Sequence, residues 1–84
     1  VLECVPSLIA TKITQSISIP TIGIGAGVGT DGQVLVLQDL LGFDPGFKPK
    51  FLRKYFDAHT EFSKAFDQFH QDVLNGEFPK ASES

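Results

Sequence analysis

Val1-Leu2-Glu3-Cys4-Val5-Pro6 is a short apolar run that carries one carboxylate and stops at a proline. Val1, Leu2, Cys4 and Val5 read as a buried strand, and Pro6 suits the first position of a following helix, where its missing N–H is no loss. Glu3 is the anomaly, because an unpaired carboxylate is costly to bury. Taken alone, it reads as a salt-bridged or partly exposed residue at a strand end. At the C-terminal end of a strand in an α/β protein, however, such a residue stands where active sites are assembled. Cys4 alternates with Glu3, so a thiol buried on the opposite face is expected.

Working outward, Ser7 to Ile17 reads as a helix with a partial apolar stripe of Leu8, Ile9, Ile13 and Ile17. Pro20 to Gly25 reads as a second strand, with Ile22 and Ile24 on one face. Gln33 to Gln38 reads as a third, apolar on both faces as a covered parallel strand would be. A helix between the first two strands requires parallel pairing, which makes the fold class α/β. The loop between strands two and three, Gly25 to Gly32, holds four glycines. It does not have dinucleotide-binding spacing, and a strand follows it where a pyrophosphate site needs a helix. It reads either as a surface that a ligand approaches or as a tight connection.

From Leu40 to Lys50 the chain reads as a loop, with Phe43 and Phe47 pinning it to the body. Phe51 to Phe56 reads as the start of a helix, and Thr60 as the N-cap of another. In that second helix Phe62, Phe66, Phe69 and Val73 share one face, as core or docking surface, and Gly76 marks its end. His59 and His70 are eleven residues apart and read as surface residues. Asp31 and Asp39 read as strand-end carboxylates, solvated caps before active-site rim.

The chain has 84 residues, a formal net charge of −3 and one cysteine. The charge argues against nucleic acid or an anionic membrane as partner. One cysteine excludes an internal disulfide and fits a reducing compartment, so a cytoplasmic location is expected. No apolar run approaches the ~20 residues of a membrane span. Absence of methionine and a start in mid-strand suggest a piece of something longer.

Leu2–Pro6, Ile19–Gly27, Asp31–Val36 and Pro49–Phe51, in this order and spacing, resemble ketopantoate hydroxymethyltransferases. The resemblance covers the C-terminal third of that family's chain. It implies a (β/α)8 TIM barrel in which residues 1–39 supply strands six to eight, and residues 40–80 the closing loop and helices. It implies transfer of a hydroxymethyl group from 5,10-methylenetetrahydrofolate to 3-methyl-2-oxobutanoate, giving 2-dehydropantoate for pantothenate and coenzyme A synthesis. Glu3 matches the family's proton acceptor. Ile24, Val34 and Val36 match residues that line the pocket for the substrate's isopropyl group. The family's Mg2+ would be held by aspartates outside these 84 residues, and its members form homo-oligomers. Gln38 stands where the family commonly has His, and no acid–base role is assigned to it. Two other readings accompany this one: a non-catalytic barrel fragment, and a related Mg2+-dependent lyase acting on another 2-oxo acid.

Overall fold

A computed structural model describes all 84 residues, Val1–Ser84. Three short strands, β1 (Leu2–Glu3), β2 (Ile22–Ile24) and β3 (Gly32–Gln33), form one parallel sheet in the order β1-β2-β3. Helix α1 (Ser7–Ser16) makes the crossover between β1 and β2. The expected α/β class with parallel pairing is therefore present.

Which face α1 covers follows from its contacts. Ala10 is fully buried, and Thr14 Oγ1 lies 2.8 Å from Thr21 Oγ1, just before β2. Thr21 and Gly23 share a face by strand alternation, and both are buried. Ile22, Ile24 and Val34 belong to the other face, and Ile22 and Val34 are more than 40% exposed. One side of the sheet is covered by a helix and the other is bare.

Thr21 is the polar centre of the covered side. Its N–H donates to Asp31 Oδ2 at 2.8 Å, its Oγ1 lies 3.2 Å from the same oxygen, and Asp31 N donates to Thr21 Oγ1 at 3.2 Å. Asp31 therefore clamps the N-terminal ends of β2 and β3, away from the strands' C-terminal ends. Thr21→Val keeps the shape but strips three polar atoms of a partner. It is expected to destabilise the protein by ~1–3 kcal/mol, read as a lower unfolding midpoint in denaturant.

The third strand is shorter than its apolar run implies. Val34 N still donates to Gly23 O, but β2 ends at Ile24, so Leu35 and Val36 have no strand to pair with. Val36 instead accepts from Asp39 N and Leu40 N and opens a short helix, α2 (Leu37–Leu40). An apolar run specifies burial, not pairing, and here the ladder runs out first.

The expected helix at Phe51–Phe56 is absent. Leu52 N closes a turn onto Pro49 O, and Tyr55 N donates instead to Leu40 O. A single long helix, α3 (Ala58–Leu74), follows, and its N-cap is Asp57 rather than Thr60. Asp57 Oδ1 accepts from Thr60 N at 3.2 Å, so Thr60 is the third residue of the helix. The C-terminus meets expectation. Gly76, at φ +71°, donates to Val73 O while Glu77 N donates to Asp72 O, the paired bonds of a glycine-terminated helix.

Thr60, through its side chain and then its backbone N–H, holds the Asp57 carboxyl below its usual range, with His59 and Lys54 adding to the effect. Because the folded value is depressed, the cap is at full strength above the ordinary value of 3.8 and is lost as pH falls through the lower folded value. Acid titration followed by circular dichroism should show helicity declining in that window. The decline should be flatter in Asp57→Asn, which caps without titrating.

The chain is a thin plate, 66 × 25 × 12 Å, with a radius of gyration of 21.0 Å. A compact chain of this length would have a radius near ~12 Å. No large side chain is fully buried. Phe43 packs edge-on against Phe62 at 5.2 Å and so ties α3 to the α2 corner, while Phe47 stays 41% exposed. On α3, Phe62, Phe66, Phe69 and Val73 are all exposed, which leaves their shared face as a surface rather than a core.

Candidate active site

In a parallel sheet all strands end on the same side, so β1, β2 and β3 deliver their last residues to one edge. Glu3 pairs with Ile24, and Gly23 with Gln33. One residue further, with the Val34 N to Gly23 O bond still made at 3.0 Å, Ile24 stands beside Val34. Glu3, Ile24 and Val34 thus form one row across the three strands, on the bare face. Val36 lies past the last bridge, extended at φ −64°, ψ 131°, as the cap residue of α2. Alternation places it on the side of Val34, but outside the sheet.

Glu3 is exposed, with no hydrogen bond to its carboxylate. A carboxylate beside two branched aliphatic side chains has what a base for a C–H proton needs. It has free acceptor lone pairs and an apolar neighbourhood in which a hydrocarbon centre can rest.

Cys4 departs from expectation. Its φ is +53°, an unusual conformation for a residue with a side chain, and it is exposed rather than buried. The strand ends at Glu3 and the backbone turns sharply at Cys4 while Cys4 N still donates to Ile24 O at 2.9 Å. Period-two alternation does not survive such a turn. The strained residue adjoins the candidate base, and strain of this kind gathers where a side chain must be aimed.

A groove of about 1100 Å³ opens at this end of the sheet. Val34 lines it, whereas Glu3, Ile24 and Val36 do not. Its far wall is Lys50, Phe51, Leu52, Arg53 and Tyr55. The sequence reading gave these residues no site role. The alternation of cations and aromatics from Lys50 to Tyr55 was the available signal.

The glycine loop settles as a tight connection. A Cβ on Gly27 would collide with Ser7 Cβ, and one on Gly29 with Thr11 Oγ1, so the loop lies directly on the first turns of α1. Gly25 and Gly27 also line the groove, so the packed loop forms part of its wall.

No three His, Cys, Asp or Glu side chains converge anywhere in the chain. His59 and His70 are exposed on α3, as expected of surface residues. No helix is long and apolar enough to cross a membrane.

Comparison with known proteins gives one consistent result. The chain is 57% identical over all 84 residues to the 3-methyl-2-oxobutanoate hydroxymethyltransferase of Bdellovibrio bacteriovorus, covering 32% of that protein. It is 58% identical over 79 residues, 94% of this chain, to the enzyme of the same name from Coxiella burnetii, and 54% identical over 79 residues to that of Enterococcus faecalis. Those alignments cover 30% and 29% of the two relatives, so the chain spans about a third of the length of the curated relatives it matches. The family model for ketopantoate hydroxymethyltransferase matches residues 1–81, and the chain belongs to that family.

Proposed function

We propose that these residues are the C-terminal third of a (β/α)8 barrel that transfers a hydroxymethyl group from 5,10-methylenetetrahydrofolate to 3-methyl-2-oxobutanoate. In this reading the three strands are barrel strands six to eight, and the bare face looks into the barrel. The plate-like shape, helix on one side and nothing on the other, supports that placement, since a closed barrel needs ~250 residues. The segment by itself is inactive, and the complete protein is a cytoplasmic homo-oligomer.

The row Glu3–Ile24–Val34 carries the reading. The Glu3 carboxylate takes the proton from carbon 3, and the bonding electrons move toward the adjacent carbonyl oxygen as an enolate. Ile24, Val34 and Val36 hold the isopropyl group so that this proton faces the carboxylate. Carbon 3 then forms its new bond to the one-carbon unit. In the net reaction, one water supplies the hydroxyl oxygen and tetrahydrofolate is released, giving 2-dehydropantoate.

The direct test is product formation by the full-length protein. Incubation with both substrates should yield 2-dehydropantoate, and a full-length protein that forms none is not this enzyme. Val34→Ala should lower kcat/KM for 3-methyl-2-oxobutanoate by about 10-fold, the value of a lost apolar contact in a substrate pocket. The loss should be smaller on 2-oxobutanoate, which has one methyl fewer to be held.

A further inference from the structure

The groove is larger than a small 2-oxo acid can fill. Its volume, about 1100 Å³, lies just above the ~300–1,000 Å³ typical of sites for drug-sized molecules. Its charge is one-sided. The chain has ten Asp and Glu against seven Lys and Arg, yet no carboxylate lines the groove while Lys50 and Arg53 both do. Neither cation is neutralised. Lys50 has no hydrogen-bond or ion-pair partner, and Arg53 donates only to Tyr55 Oη at 3.3 Å, with its guanidinium 5.9 Å from the Tyr55 ring centre. Lys54, next in sequence, is by contrast committed to Asp44 O at 2.9 Å. Between and beside the two cations, Phe51, Leu52 and Tyr55 present aromatic and aliphatic surface to the same space.

We propose that this groove binds the larger of the two reactants, with Lys50 and Arg53 holding the glutamate carboxylates of the folate tail. The aromatic body of the folate lies along Phe51, Leu52 and Tyr55. The proposal rests on the reading of the site as a folate-dependent hydroxymethyltransferase, and it names which residues select that cosubstrate. Arg53, held by the Tyr55 ring and hydroxyl, offers its remaining N–H groups as a fork to a carboxylate, while Lys50 acts as a mobile point charge. Two cations three residues apart suit a tail with more than one carboxylate, so affinity should rise with the number of glutamates.

Steady-state kinetics of the full-length enzyme with mono-, di- and triglutamate forms of 5,10-methylenetetrahydrofolate test this. Wild type should show a KM that falls as glutamates are added, and more steeply at low salt. Lys50→Ala and Arg53→Ala should each raise the folate KM by about 10-fold, the value of a hydrogen bond to a charged group. They should flatten its dependence on glutamate number and leave kcat little changed. Arg53→Lys should recover part of the loss, and Lys64→Ala, an ion-paired lysine outside the groove, should change nothing. Exchange of the carbon-3 proton without folate should remain at the wild-type rate in every variant. Unchanged folate KM values in both alanine variants would overturn the proposal. So would a rise confined to the KM for the 2-oxo acid, which would assign the cations to the smaller substrate. A wild-type enzyme that neither exchanges nor transfers would remove the functional reading, and the proposal with it.

Discussion

Glu3→Gln in the full-length enzyme should slow exchange of the carbon-3 proton of 3-methyl-2-oxobutanoate in heavy water by about 10²–10⁴-fold, the range lost with a positioned general base. Glutamine keeps the length and the acceptor oxygen of the side chain but cannot take up a proton at neutral pH. Substrate binding should change little, because Ile24 and Val34 still flank the position. The effect should therefore appear in kcat and not in the KM of the 2-oxo acid. Glu3→Asp sharpens the test. It retains the base but withdraws it by one methylene, and loses less than Gln if proton transfer is the role. A Gln variant that exchanged at the wild-type rate would show that the base lies elsewhere. The row Glu3–Ile24–Val34 would then be an ordinary stretch of sheet.

What the sequence disclosed and what it withheld divide along a physical line. The β–α–β order was legible because Pro6, Pro20 and the change from helical to alternating periodicity are local signals, and parallel pairing follows from them by geometry. The site residues were legible through the family resemblance, whereas their row was not: alternation sorts faces within one strand, and setting Ile24 beside Val34 takes the register of β2 on β3. Cys4 was not legible. Its buried position was inferred from alternation, which holds only while the chain stays extended, and φ +53° ends that at the next residue. Gln33–Gln38 failed for a non-local reason, since strand length depends on a partner and β2 stops at Ile24. Thr60 was read as the cap that Asp57 provides, because either residue type serves. The apolar stripe fixed α3 only from Phe62 onward. The groove cations were visible as residues but not as a site, because Lys50 and Arg53 meet Val34 and Gly27 only after the chain has folded back across the strand ends.

Gly27→Ala should be among the most destabilising single changes in the chain, and comparison with Gly76→Ala separates the reasons. Both glycines have positive φ, +82° and +71°. Such a conformation costs a residue with a Cβ ~1–2 kcal/mol wherever it occurs. At Gly76 nothing lies within 4 Å of the added atom, so Gly76→Ala should show that cost alone. At Gly27 the same atom collides with Ser7 Cβ and comes within 3.3 Å of Ser7 Cα, on the first residue of α1. A side chain can rotate away from a clash, but a Cβ fixed to the helix backbone cannot, so loop and helix must separate. Overpacking of this kind adds ~1–3 kcal/mol. Gly27→Ala should therefore exceed Gly76→Ala by about that amount in denaturant unfolding of the full-length protein. Ser7→Gly in the Gly27→Ala background removes the obstructing atom, and should return the steric part while leaving the conformational part in place. Equal losses at Gly27 and Gly76 would mean that the loop does not rest on α1. The glycine loop would then be a flexible surface and not the packed wall that shapes the groove.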